Sequence, residues 1–219
     1  MASPADFSSV ERIGIDESGK GDYFGPLVIA AVFVTPTTQT DLSLMQVRDS
    51  KKLSDGRVRE MAPDIRLLCP HSIVAIGPQR YNELYTKIRN LNRLLAWGHA
   101  RALENLLQQV DCSLAIADQF GDEQLILNAL QEKGKQIRLV QRTKAESDLA
   151  VAAASILARA EFLHRLQRLS NEVHTTLPKG ASPAVELAAK MVVKKYGAER
   201  LGMVAKLHFK TTKQILETN

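Results

Sequence analysis

Two carboxylates stand side by side at Asp16 and Glu17, after an apolar run and before a Gly-Lys-Gly turn, in the stretch IGIDESGKGDYFGPLVIAAVFV from Ile13 to Val34. Adjacent acids at a strand end repel each other, and a divalent cation is their natural neutraliser. Two further acids occupy comparable places. Asp118 follows the apolar run SLAIA, and Asp148 opens the Ala-rich stretch DLAVAAASILARAEFLHRL, two residues after Glu146. Taken singly, Asp118 reads as a loop or cap residue and Asp148 as a helix N-terminal acid interacting with the dipole. Taken together, Asp16, Glu17, Asp118 and Asp148 end apolar elements that should pack in one layer. Four carboxylates with waters suit two Mg²⁺ or Mn²⁺ ions, which at a spacing of about 3.5–4 Å clamp the attacking and leaving oxygens of a phosphoryl displacement. Such hard cations take oxygen ligands, so neither His nor Cys is required.

The elements that must position these acids follow from the apolar pattern. Val10 to Ile15 reads as a short strand ending at Asp16, and the unbroken run Leu27 to Val34 as a central strand, with the turn between them compatible with a hairpin. Thr35 to Val47 reads as a loop or a third strand. Ser54 offers an N-cap to a helix over Asp55 to Leu68, in which Pro63 is expected to impose a restriction or kink. Ser72 to Ile76 is a strand. The long periodic segment Tyr81 to Val110 is expected to divide into two helices at Gly98. Ser113 to Ala117 is a strand ending at Asp118, Asp122 to Lys133 a helix closed by Gly134, and Gln136 to Val140 a strand. A helix opens at Ser147 or Asp148, and another runs from Ala184 to Tyr196 up to Gly197. The tail LHFKTTKQILET should end in a short helix. Alternating helices and strands specify an α/β domain.

Composition bounds the partners. The 219 residues are of ordinary globular composition, and the net charge of +5 equals the excess of seven Lys or Arg over two Glu in residues 190–219 alone. A basic terminal segment on a balanced body fits a polyanion. The two cysteines and five dispersed histidines show no zinc-ligand spacing. No apolar run reaches membrane-spanning length and no signal-peptide core precedes the first strand, so a cytoplasmic protein without membrane contact is expected. Gly14 to Gly21 comes close to the phosphate loop G-x-x-x-x-G-K-[ST], but Gly21 stands where a hydroxyl is needed, Asp16 and Glu17 would face the phosphates, and a strand follows instead of a helix. Nucleotide hydrolysis is thereby disfavoured. Gly19 and Gly21 are better read as opening the backbone of a turn to a ligand.

These motifs resemble those of type 2 ribonuclease H, in particular ribonuclease HIII. The resemblance rests on DESGKGDYFGPLVIAAV (Asp16 to Val32), DSKKLSD (Asp49 to Asp55), the strand ending at Asp118, KAESDLAVAAASILAR (Lys144 to Arg159), LPKGAS (Leu177 to Ser182) and LHFKTT (Leu207 to Thr212), in that order. Lys20 between the glycines and the following DYFGP point to the HIII rather than the HII type. The resemblance implies a ribonuclease H-like fold, a central mixed β-sheet flanked by helices, with a C-terminal helical part; the basic segment from about residue 184 is expected to form that part, and the polar residues 1–9 read as a flexible leader. It implies metal-dependent endonucleolytic cleavage of the RNA strand of an RNA–DNA hybrid. Asp16, Glu17 and Asp118 carry over as metal ligands. Glu146 and Asp148 both lie near the family's last acidic position, and Asp148 is favoured because a helix can aim it at the sheet edge, with Glu146 as the alternative. Ribonuclease HIII usually carries an N-terminal TATA-binding-protein-like domain, whereas about a dozen residues precede the first motif here; either the protein lacks that domain naturally or it lies outside these 219 residues. Residues 1–219 are expected to form a single catalytic domain, a monomer with no obligatory protein partner evident.

On this reading, backbone groups of Gly19, Lys20 and Gly21 contact RNA 2′-hydroxyls, which distinguish RNA from DNA. Ser50, Lys51, Lys52, Lys144 and Lys179 join the substrate contacts, with Lys206 and Lys210 from the tail. One metal activates water and the other stabilises the leaving 3′ oxygen, giving 3′-hydroxyl and 5′-phosphate ends. The rivals are a hybrid-binding protein without catalysis, which would bind but not cut, and a carboxylate–metal nuclease acting on DNA, which substrate comparison would separate. Loss of a phosphate contact in Lys144→Ala should lower the salt slope of hybrid binding by about one, and an unchanged slope would make Lys144 ordinary surface charge.

Overall fold

The computed structural model describes residues 7, 9–131 and 134–217, so most of the expected leader lies outside the described residues. In chain order the elements are β1 (Arg12–Ser18), β2 (Leu27–Val34), α1 (Pro36–Leu44), α2 (Asp55–Leu68), β3 (His71–Ile76), α3 (Pro78–Ile88), α4 (Leu91–Leu106), β4 (Leu114–Asp118), α5 (Glu123–Ala129), β5 (Arg138–Arg142), α6 (Leu149–Glu172), α7 (Pro183–Tyr196), α8 (Ala198–Val204) and α9 (Lys210–Glu217). Single 3-10 turns occupy Ser50–Lys52, Gly134–Gln136 and Ala145–Ser147. The five strands form one mixed sheet in the order β3-β2-β1-β4-β5, with β1, β4 and β5 mutually parallel. The expected helix-flanked sheet is therefore present.

Two compact units share the chain. One gathers the described residues up to Glu17 with Ile29–Val74 and Leu95–Ala160. The other gathers Ser18–Val28, Ala75–Leu94 and the described residues from Glu161 onward. The first holds most of the sheet. Every residue of β2 is buried, as its unbroken apolar run requires of a central strand. Helix α2 buries Val58, Met61, Ala62 and Ile65, one stripe at helical spacing, and Ser54 caps it by accepting from the Arg57 N–H. Pro63 does not interrupt it. The second unit is built around α3, α7, α8 and α9. There Asn82 donates to the carbonyls of Gly202 and Ala205 and accepts from the Leu207 N–H, tying α3 to the turn after α8.

Several boundaries differ from the sequence reading. The segment after β2 is helical, because Thr35 and Thr38 form a reciprocal cap and Pro36 presets the first turn. The long periodic segment breaks at Arg89, which is left-handed (φ 49°), and Asn90 restarts it by accepting from the Arg93 N–H. Gly98 lies inside α4 instead; a Cβ there would stand 2.6 Å from Ile29 Cδ1, so this glycine lets the helix approach β2. Helix α5 ends at Ala129, short of the expected Gly134. Strand β5 runs two residues later than expected, and α8 is an additional helix.

Gly14 on β1 marks a close approach of two elements in the first unit. A Cβ at Gly14 would lie 2.1–2.4 Å from backbone atoms of Ala150 and Val151 in the first turn of α6. The buried alanines Ala150, Ala152, Ala153 and Ala154 give α6 the small surface this contact needs. Because the obstacle is backbone, it cannot rotate away. Gly14→Ala should cost about 3 kcal/mol or more in urea unfolding, at the upper end for overpacking. Gly56→Ala, whose new Cβ would meet nothing nearer than 3.9 Å, serves as control and should be neutral or slightly stabilising.

Candidate active site

The site begins with strand register. Parallel pairing sets Ile13 opposite Ala115, Gly14 opposite Ile116 and Ile15 opposite Ala117. One step further along the same register brings Asp16 level with Asp118, two acids at the carboxyl ends of neighbouring parallel strands, where open α/β sheets gather ligands. Asp16 is 8% exposed. Burial, followed by the charges of Glu17 and Asp118, raises its carboxyl well above the usual range, against the Glu17 N–H and Lys51, which lower it. The Glu17 N–H donates to Asp16 Oδ1 at 2.8 Å, and the Ala145 N–H donates to Asp118 Oδ1 at 3.3 Å.

Lys51 lies in the field of several acids. Partial desolvation lowers its ammonium pKa, but the fields of Asp16, Asp49, Asp118 and Glu146 outweigh it and the net shift is upward. The 3-10 turn carrying Lys51 is held by Asp49, whose Oδ1 accepts the Lys51 N–H at 3.0 Å. Glu146, half-buried in the turn before α6, thus shares its cationic neighbour with Asp16 and Asp118.

Asp148 is engaged elsewhere. Its Oδ2 accepts from Arg12 Nε at 2.8 Å, with Arg142 at 4.0 Å, and its Oδ1 accepts from the Ala150 N–H at 2.8 Å. Arg12 is itself 1% exposed and also bonds Val10 O and Gln39. Asp148 is thus both the opening cap of α6 and one half of a buried ion pair that ties the helix to the start of β1. Both its oxygens accept hydrogen bonds, one of them from a buried guanidinium, a setting that differs from the one expected of a fourth metal ligand.

Glu17 meets a residue that the sequence reading passed over. His99 on α4, fully buried, places Nε2 3.0 Å from Glu17 Oε2, and its ring lies 4.7 Å from that of Phe120. Nothing local in the sequence marks this pairing, since 82 positions separate the two. Arg12 was missed for the same reason. The chemistry of the set Asp16, Glu17, Asp118 and Glu146, all hard oxygen donors with excess negative charge, fits Mg²⁺ or Mn²⁺. Among the described residues, however, no three of the His, Cys, Asp and Glu side chains converge tightly enough to hold an ion as they stand. Asp16, Asp118 and Glu17 are paired instead with the Glu17 N–H, the Ala145 N–H and His99.

The expected substrate residues divide. Gly19 is left-handed (φ +89°), and a Cβ there would strike the Pro26 carbonyl at 2.2 Å and the Phe162 ring at 2.9 Å, so glycine is compulsory; Gly21 has open space around it. Lys20 is half-buried, while Lys51, Lys52, Lys144, Lys179 and Lys210 are exposed. Ser50 is buried, its N–H bonded to Ser155 Oγ and its carbonyl to Arg159. Lys206 departs outright from a phosphate-contacting role. It is fully buried, and Nζ donates to the carbonyls of Asp22 at 2.7 Å and Gly25 at 2.8 Å.

The family model described as Ribonuclease HII matches residues 13–212. The chain is 52% identical to a ribonuclease HIII of Protochlamydia amoebophila over 205 residues, covering 94% of this chain and 68% of that protein. It is 45% identical to a ribonuclease HIII of Chlamydia pneumoniae, covering 93% of this chain and 70% of that one. The chain belongs to the ribonuclease HII family, on its ribonuclease HIII branch. Among solved structures, Bst-RNase HIII in complex with Mn²⁺ superposes with a TM-score of 0.90 at 35% identity, covering 96% of this chain and 70% of that chain. Aquifex aeolicus RNase H3 gives a TM-score of 0.75 at 32% identity, with 93% and 73% covered. Membership of this branch makes the protein a ribonuclease H, a metal-dependent hydrolase, and the LHFKTT motif containing Lys206 then has a structural duty within it.

That duty has a pH signature. Burial pushes the Lys206 ammonium down to about 7, against the Asp22 carboxylate, which raises it. Between about 7 and the ordinary value of 10.5 the unfolded chain therefore holds a proton that the folded chain does not. Stability should rise with pH across that window, by up to ~1.4 kcal/mol per pH unit, and level off below it. Urea midpoints of the wild type and Lys206→Met between pH 6 and about 10 check this. The rise should vanish in the variant, and equal slopes would contradict it.

Proposed function

We propose that the protein is an endoribonuclease that hydrolyses the RNA strand of RNA–DNA hybrids with two divalent ions, leaving 3′-hydroxyl and 5′-phosphate ends. The observation that carries this reading is the parallel β1–β4 register, which brings Asp16 level with Asp118 beside Glu17. The acids assigned to the ions are Asp16, Glu17, Asp118 and Glu146. Glu146 replaces Asp148 in that set, because Asp148 already serves Arg12 and the Ala150 N–H while Glu146 acts on Lys51 with the other acids. When bound, the ions would supply Lewis-acid charge stabilisation and a water acidified for attack on phosphorus.

The remaining work belongs to the chain. Lys51 offsets the negative cluster before substrate arrives and is a fitting contact for the scissile phosphate. Lys52, Lys144, Lys179 and Lys210 are exposed and supply backbone electrostatics, which fix register without reading sequence. Gly19, Lys20 and Gly21 follow Glu17 by only two to four residues, so chain connectivity alone keeps their backbone groups near a strand bound at the acids. Those groups are suited to inspecting 2′-hydroxyls. Asp148 and Arg12 take no part in the chemistry and hold α6 against β1.

The distinction between the acids is measurable. Glu146→Gln should lower hybrid cleavage by about 100-fold or more, equivalent to about 2.7 kcal/mol of transition-state stabilisation, with little change in unfolding midpoint. Asp148→Asn should cost about 3–5 kcal/mol of stability by stranding Arg12, yet at low temperature its folded fraction should cleave at near wild-type rate. An inactive, fully folded Asp148→Asn alongside an active Glu146→Gln would reverse the assignment. An all-DNA duplex cut as fast as the hybrid would overturn the substrate class.

A further inference from the structure

His99 is the one fully buried histidine among the described residues, and its two ring nitrogens differ sharply in surroundings. Nε2 lies 3.0 Å from a carboxylate oxygen of Glu17. Nδ1 is buried with no hydrogen-bond partner among the described residues. A buried N–H without an acceptor is costly, on the order of 1–3 kcal/mol, and Glu17 offers an acceptor only on the other side. The ring proton therefore belongs on Nε2, where the carboxylate takes it. Phe120 lies across the ring at 4.7 Å and 54°, limiting its rotation. Phe120 is two residues beyond Asp118. One imidazole thus touches both the carboxylate near the end of β1 and the segment leaving β4.

We propose that His99 is a positioning residue. As the Nε2–H tautomer it fixes the side-chain rotamer of Glu17, and through that it sets the affinity of the acidic cluster for its divalent ion. This rests on the reading of Glu17 as a metal ligand. Partners that orient a ligating carboxylate commonly change metal affinity by about 10–100-fold when removed. His99 makes no contact with substrate in this account and is not a catalytic residue.

The test uses the full chain. In the ¹⁵N-labelled wild type, the imidazole nitrogens of His99 should give a pyridine-type signal for Nδ1 and a pyrrole-type signal for Nε2, and the reverse assignment would overturn the proposal. Mn²⁺ binding without substrate, followed by electron paramagnetic resonance, should weaken about 10–100-fold in His99→Leu. In His99→Gln, whose amide N–H can reach Glu17, it should return to within about 3-fold of wild type. Wild-type affinity in a folded His99→Leu, or equal losses in both variants, would overturn the proposal. If His99→Leu does not fold, the tautomer and the His99→Gln affinity still decide. Glu17→Gln separates the two levels. Unchanged affinity there would refute Glu17 as a ligand, whereas a loss there without a loss in His99→Leu would refute only the positioning role.

Discussion

Asp16 is buried beside half-buried Glu17 and within the field of Asp118, and the repulsion among these acids is what the surrounding structure has to manage. Asp16 shows the cost most directly, since burial and its acidic neighbours drive its carboxyl well above the usual range. The chain distributes small compensations around the group: the Glu17 N–H to Asp16, the Ala145 N–H to Asp118, His99 to Glu17, and Lys51 within the field of four acids. None of these neutralises the cluster. A site held at a deficit of positive charge is prepared for divalent cations, because a metal supplies what the protein withholds.

That arrangement needs a rigid frame, and the frame is built from residues with no chemistry of their own. Gly14 admits the backbone of α6 against β1, the alanines at the start of α6 accept the approach, and Arg12 with Asp148 closes the joint as a buried ion pair. A buried pair of this kind contributes little net stability but is expensive to break on one side. It therefore ties the start of α6 to the start of β1. In the other unit Lys206 plays a similar part, its ammonium spent on the carbonyls around the Asp22–Gly25 turn.

Much of this was legible in the sequence where the signal is local. The buried run of β2 and the Ser54-capped helix α2 agree with their expected spans, because burial on both faces and a side-chain cap are properties of a few neighbouring residues. Helix α1 was misread although Thr35 and Pro36 are helix-start signals, because only Leu42 in it is buried and it carries no apolar stripe. Gly98 looked like a breaker, but its role is set by Ile29 on a distant strand. The same limit governs the site. The acids at 16, 17 and 118 announce themselves at strand ends, whereas Asp148 is decided by Arg12, 136 positions away, and Lys206 by carbonyls more than 180 positions away. Sequence shows which groups could do chemistry; long-range partners decide which are free to do it.

The central claim is that Glu146, not Asp148, completes the acidic set around the metal. Anomalous diffraction from crystals of the protein grown with Mn²⁺ and a non-cleavable RNA–DNA hybrid tests it most directly. The account predicts manganese signal bounded by carboxylates of Asp16, Glu17, Asp118 and Glu146, with Asp148 still bonded to Arg12. Manganese ligated by Asp148, with the Arg12 pair broken and Glu146 turned away, would contradict it.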